Sequence, residues 1–122
     1  MSSGKHMICD IKNIKNKELL NSPNGLTELL DQICLQHKYT ILEKIQHIFE
    51  PQGFTTIYLL SESHISIHTF PENNYAAIDI YTCRKYDTNM VYLEIYDLLI
   101  KEFQADRETP VIIDRKFYTI LR

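Results

Sequence analysis

Three β-rich runs follow one another with almost nothing between them: Phe54 to Leu60, His64 to Phe70 and Tyr75 to Cys83. Connections this short cannot hold a crossover, so successive runs must pair antiparallel, and any fold for this chain has to be built around that meander. The break between Leu60 and His64 lies where two strands can turn, and Pro71-Glu72-Asn73-Asn74 supplies a second turn. Ahead of the meander, apolar and polar residues roughly alternate from Tyr39 to Phe49, and Pro51-Gln52-Gly53 punctuates.

Two segments carry the helical period instead. Ser22-Pro23 reads as an N-cap with proline at the first position, and Leu26, Leu29, Leu30 and Ile33 follow at 3.6-residue spacing, which predicts a helix to about His37. Asp87-Thr88 can cap a second helix with Val91, Ile95, Leu98 and Leu99 on one side, ending near Gln104. Lys5 to Ile11, Val111 to Asp114 and Phe117 to Leu121 read as further strands. The expected fold class is α+β, a two-layer sandwich in which a mostly antiparallel sheet is covered on one face by two helices. The other face is left for water or a partner. At 122 residues the chain is one domain's worth, so residues 1–122 are read as a single domain.

Composition removes several function classes. The formal net charge is −3 and no Lys/Arg run exceeds two residues, so the basic stripe of a nucleic-acid groove is missing. No apolar stretch approaches the ~20 residues of a membrane span, and the N-terminus lacks a signal-peptide core. Neither nucleic acid nor membrane is expected as a partner. Cys9, Cys34 and Cys83 are odd in number and lie in no CxxC spacing. That argues against a disulfide framework or a structural zinc site and fits a reducing cytoplasm.

The middle run of the meander is chemically unusual. "SESHISIHTF", residues 61 to 70, threads two histidines, three serines and a glutamate through an alternating pattern. In a strand, Ile65, Ile67 and Thr69 share one face, and His64, Ser66, His68 and Phe70 the other. Two histidines four apart would be a metal pair on a helix, but in a strand they stand about 13 Å apart, and no third ligand is in sight, so no metal is expected. A serine hydrolase is equally unsupported, because no GxSxG elbow exists. Spacing alone leaves a solvent-facing polar strand as the reading.

A longer string changes that reading. "FEPQGFTTIYLLSESHISIHTFPENNYAAIDIYTC", Phe49 to Cys83, resembles the bacterial and archaeal S-adenosylmethionine decarboxylases in "SESHISIHT", then "PE", then "YAAIDIYTC", in the family's order and spacing. The N-terminal "GKHMICDI" is similar to the family's opening strand. The family comprises self-cleaving, pyruvoyl-dependent enzymes of spermidine synthesis, so the resemblance implies a proenzyme whose cofactor is its own serine, with neither pyridoxal phosphate nor metal. It also implies a homodimer of cleaved protomers whose active sites draw on both.

The resemblance assigns roles residue by residue. Glu62-Ser63 matches the cleavage pair: the Ser63 hydroxyl attacks the Glu62 carbonyl carbon, and β-elimination leaves residues 1–62 and a chain 63–122 headed by a pyruvoyl group. His68 matches the processing histidine, and a near-neutral pKa suits that proton transfer. Thr55 falls where relatives usually carry a serine that helps processing; its hydroxyl survives on a stiffer, β-branched side chain. Cys83 matches the catalytic acid that reprotonates the α-carbon after carbon dioxide leaves the Schiff base, and a thiol is protonated enough to serve. Phe49 and Glu72 match the adenine-stacking ring and the carboxylate for the ribose hydroxyls. Cys9 and Cys34 are expected to be small core hydrophobes, and His64 a structural or turn-side group.

Two departures stand beside these matches. Arg84 replaces a glycine frequent in relatives and is expected to add a cation near the active site, and Asn73-Asn74 replaces a more glycine-containing turn, which asparagine's tolerance of left-handed backbone allows. They leave arginine or ornithine open as alternative substrates of the same machinery. A non-catalytic homologue that regulates an active subunit is the alternative of another class. The joint presence of Ser63, His68 and Cys83 argues against it.

Overall fold

The computed structural model describes residues 2–116. The meander expected from the sequence is its centre. β3 (Phe54–Leu60), β4 (Ser63–Phe70) and β5 (Tyr75–Thr82) pair in order, all antiparallel. β2 (Ile41–Ile48) adds to one side of this trio, and β1 (Ser2–Ile11) followed by β6 (Val111–Lys116) to the other. The sheet order is β2-β3-β4-β5-β1-β6, and every pairing among the described residues is antiparallel. The strand expected over Phe117 to Leu121 lies outside the described residues.

Register sorts the side chains into two faces. The row Lys44–Tyr58–Ile65–Ile80–Met7–Ile112 runs across all six strands on the covered face, and its four central members are fully buried. One residue along, the row Ile45–Ile57–Ser66–Asp79–Ile8–Val111 lies on the open face, where Ile45, Ile57 and Val111 are exposed. A one-residue slip anywhere would exchange these rows, so the buried isoleucines fix the register that places the site.

Three helices cover the first face. α2 (Pro23–Gln36) starts as expected: the Ser22 hydroxyl accepts from Gly25 N at 2.9 Å, a cap worth about 1 kcal/mol, and Leu26, Leu29, Leu30 and Ile33 are buried. α3 (Met90–Phe103) differs from expectation in its inward stripe, which is Tyr92, Ile95, Tyr96, Leu99 and Phe103, with Val91 and Leu98 at its flank. Its N-cap is Asn89, whose side chain makes no capping bond and accepts from Lys5 Nζ instead, while Thr88 Oγ1 accepts from Met90 N. α1 (Lys17–Leu20) is a single turn capped by Asn16, too short to show a period in the sequence. Among the described residues, no helix is long and apolar enough to cross a membrane.

Candidate active site

The chemically equipped residues gather at the two ends of β4. At its head, Leu60 pairs with Ser63, so Ser61 and Glu62 alone form the hairpin turn. Glu62 sits in the left-handed region at φ 65°. For a side chain with a Cβ that conformation costs about 1–2 kcal/mol, and here it falls on the residue before Ser63. Ser63 is buried, 8% exposed, and its hydroxyl accepts from the backbone N–H of Cys83 at 3.2 Å.

Cys83 lies just past the end of β5 and is exposed, whereas Cys9 and Cys34 are buried. Burial pushes the Cys9 thiol up to about 12 and the Cys34 thiol to about 11, which suits inert packing groups. The Cys83 thiol donates to Tyr81 Oη at 3.2 Å, and that bond is the main cause holding the Tyr81 phenol above its ordinary value. Tyr81 belongs to the open face, where its ring meets those of His64 and His6 at 5.6 and 6.2 Å. Burial, then the neighbouring His6, lowers the His64 pKa.

Gly4 presses on the same end from β1. Its φ is +104°, and a Cβ there would stand 2.0 Å from Thr82 O and 2.8 Å from Cys83 Cα. Only glycine lets the two strands approach so closely beside the cysteine. Sequence reasoning assigned no role to Gly4 or Tyr81. The available signal was an aromatic residue two before Cys83, hence on one face with it.

At the tail of β4 a pocket of about 320 Å³ is lined by Phe49, Gln52, Gly53, Thr55, His68, Thr69, Phe70 and Glu72. His68 pairs with Thr55 in register, and Thr55 Oγ1 lies 2.8 Å from His68 Nδ1, so the hydroxyl holds one ring nitrogen and leaves the other free. Phe49 is half-exposed, and His47 packs edge-on against its ring at 4.6 Å. Its backbone N–H closes the Phe49–Gly53 loop by donating to Gly53 O at 2.8 Å. Glu72 comes from the 3-10 turn Pro71–Asn73, which ends on Asn74 in the left-handed conformation, φ 49°. The replaced turn is therefore compatible with its asparagine, as expected.

The seven expected site residues thus form two groups. Glu62, Ser63 and Cys83 meet at the turn end; Phe49, Thr55, His68 and Glu72 meet at the pocket end. Five residues of strand, about 16 Å, separate Ser63 from His68 in one chain. The two also alternate to opposite faces: Ser63 shares the buried side with Ile65 and Ile67, and His68 the open side with Ser66. Among the described residues no cluster of three or more His, Cys, Asp or Glu is arranged to hold a metal.

Arg84 was expected to place its cation near the active site. Its guanidinium donates to the carbonyls of His37, at 2.5 Å, and Lys38, just past the end of α2, and lies 4.7 Å over the Tyr39 ring. The next residue, Thr40, accepts from the backbone N–H of Ser61 in the β3–β4 turn at 3.0 Å. The carbonyls at a helix C-terminus, together with the negative end of its dipole, hold the cation there.

Comparison with known proteins gives the family. A family model described as S-adenosylmethionine decarboxylase matches residues 5–116. The S-adenosylmethionine decarboxylase proenzyme of Prochlorococcus marinus (strain MIT 9313) is 44% identical over 80 residues, covering 66% of this chain and 63% of that protein. The chain therefore aligns with a little under two thirds of that relative. The proenzyme of the same name from Clostridium botulinum (strain Loch Maree / Type A3) is 37% identical over 99 residues, 80% of this chain and 84% of that one. The crystal structure of the adenosylmethionine decarboxylase from Aquifex aeolicus VF5 superposes with a TM-score of 0.81 at 26% identity, over 99% of this chain and 97% of that chain. With the match running through both ends of β4, the chain belongs to the S-adenosylmethionine decarboxylase family.

Proposed function

We propose that this chain decarboxylates S-adenosylmethionine, is made as a proenzyme that cleaves itself between Glu62 and Ser63, and completes each active site with a second copy of itself. The observation that carries the proposal is the Glu62 turn: a left-handed, non-glycine residue immediately before a buried serine whose hydroxyl is held by Cys83 N–H. Strain at that residue favours breaking the peptide that follows it.

In this reading Ser63 Oγ attacks the Glu62 carbonyl carbon, the C–N bond breaks and an ester forms. Loss of the Ser63 Cα proton expels the Glu62 carboxylate and ends the first chain there. Water replaces the nitrogen, which leaves as ammonia, and Ser63 becomes an N-terminal pyruvoyl group heading residues 63–122. The head of β4 fits such a group, since a backbone donor already points at it and the Cys83 thiol lies on the adjoining open face. The pyruvoyl carbonyl would supply an electron sink for the pair left on the α-carbon when carbon dioxide departs. Cys83 holds the proton to be returned at Sγ. Phe49 offers a ring face for adenine and Glu72 a carboxylate for the ribose hydroxyls, and their common pocket supports a nucleoside substrate.

The separation along β4 supports a second copy. One chain owns both half-sites and joins neither to the other. The turn end presents Cys83 and Tyr81 on the open face and the pocket end presents His68, and that face also leaves Ile45, Ile57, Val111 and Ile113 exposed. Two such faces laid together with strands running oppositely set the turn end of one chain over the pocket end of the other and bury those side chains.

Intact-mass measurement tests the proposal. Purified protein should consist of two chains divided between residues 62 and 63, and Ser63→Ala of one full-length chain. Folded wild-type protein that stays whole on long incubation would overturn the processing and with it the mechanism. Carbon dioxide release from arginine or ornithine, with none from S-adenosylmethionine, would overturn the substrate alone.

A further inference from the structure

Cys83 opens the irregular segment, residues 83–89, that joins β5 to α3. An exposed side chain in such a segment ordinarily wanders. Here the chain is fastened on both sides of it. Before it, Tyr81 Oη accepts from Sγ at 3.2 Å, and the Tyr81 ring is itself packed by His64 and His6, with the Arg115 guanidinium 5.0 Å above it. After it, Arg84 is bound to the His37 and Lys38 carbonyls and stacked on Tyr39. Tyr39 is tied back in turn: its hydroxyl lies 3.0 Å from Tyr86 Oη, the Tyr86 ring meets Tyr92 edge-on at 5.7 Å, and Tyr92 Oη lies 2.7 Å from Thr82 Oγ1. The circuit starts at Arg84 and returns to Thr82, the two residues that flank Cys83.

We propose that Tyr81 and Arg84 are positioning residues for the Cys83 thiol, Tyr81 by holding Sγ directly and Arg84 by locking the following chain to the end of α2. The inference rests on Cys83 being the proton donor. A donor displaced by a fraction of an ångström loses rate steeply, whereas the pocket of Phe49 and Glu72 is lined by neither residue. Loss of either hold should therefore lower kcat and spare KM.

The test uses the processed enzyme carrying Tyr81→Phe or Arg84→Ala, with two measurements: steady-state decarboxylation of S-adenosylmethionine, and N-ethylmaleimide labelling followed by intact mass. Each variant should lose about tenfold or more in kcat with KM within about twofold. Cys83 should label about threefold faster or more as it is released, while the buried Cys9 and Cys34 stay unlabelled. Values of kcat and labelling rate within about twofold of wild type in both variants would overturn the proposal. So would labelling of Cys9 or Cys34, because the loss would then come from a loosened fold. Near-wild-type turnover by Cys83→Ala would remove the reading beneath it, and the labelling rates separate that failure from a catalytic thiol that is not held.

Discussion

The two ends of β4 are built by opposite means. The turn end is made of backbone: a left-handed Glu62, a Cys83 N–H aimed at Ser63, and a glycine whose missing Cβ lets β1 close on Thr82 and Cys83. The pocket end is made of side chains: Phe49 and Phe70 as walls, Glu72 from a short turn, and a hydroxyl–imidazole pair between Thr55 and His68. Backbone devices can store strain and fix one bond; side-chain devices can recognise a ligand and move protons. The contrast suits the proposed division, in which the head of the strand breaks once and its tail binds repeatedly. It also explains why neither end suffices, since a rigid strand cannot fold back to bring its own ends together.

Mixing variants gives the largest effect that can break this division. Cys83→Ala should still cleave yet lose about 10²–10⁴-fold in decarboxylation, the usual contribution of a general acid. Glu72→Ala should cripple the other end. Coexpressed with differential tags, the two should recover about a quarter of wild-type activity, because half of randomly paired dimers are mixed and each has one complete site. Activity no higher than the better single variant would show that both ends act within one chain.

The pocket end can be sharpened by one atom. Thr55→Val keeps the shape and removes the hydroxyl from His68, a loss of about 1–1.5 kcal/mol, so cleavage should slow roughly tenfold in a time course by mass. Thr55→Ser should cleave at least as fast as wild type. Equal rates for valine and serine would mean that the hydroxyl does not orient the imidazole.

The smallest expected effect concerns strain at the turn end. In an uncleavable Ser63→Ala background, Glu62→Gly should raise stability by about 1 kcal/mol in urea denaturation, because glycine occupies the left-handed region without steric cost. In the wild-type background the same change should slow cleavage. Unchanged stability would show that the turn stores no strain to release.

Much of this was readable in advance, for local reasons. The meander, the Ser22 cap and the inward leucines of α2 followed from spacing and turn chemistry, which neighbouring residues determine among themselves. α1 was not readable, since four residues contain no period, and the inward stripe of α3 was misassigned because Tyr92 and Tyr96 pack as core while carrying hydroxyls. The expected site residues stand in one continuous string, and their separation into two groups was not legible there. Arg84 shows why: adjacent to Cys83 in sequence, it is drawn to helix carbonyls contributed by residues 37 and 38.

The sequence by itself determined which groups this chain owns and which face of its strand each occupies, because alternation is a property of the backbone within one strand. It determined too that Ser63 and His68 stand five residues apart. Only the tertiary structure decided what those five residues mean: about 16 Å of straight strand, with a turn closed by Gly4 and Cys83 at one end and a pocket closed by Phe49 and Glu72 at the other. Those neighbours arrive from segments distant in the chain, and the choice of which strands lie side by side, which alternation within one strand does not encode, is what brings them there.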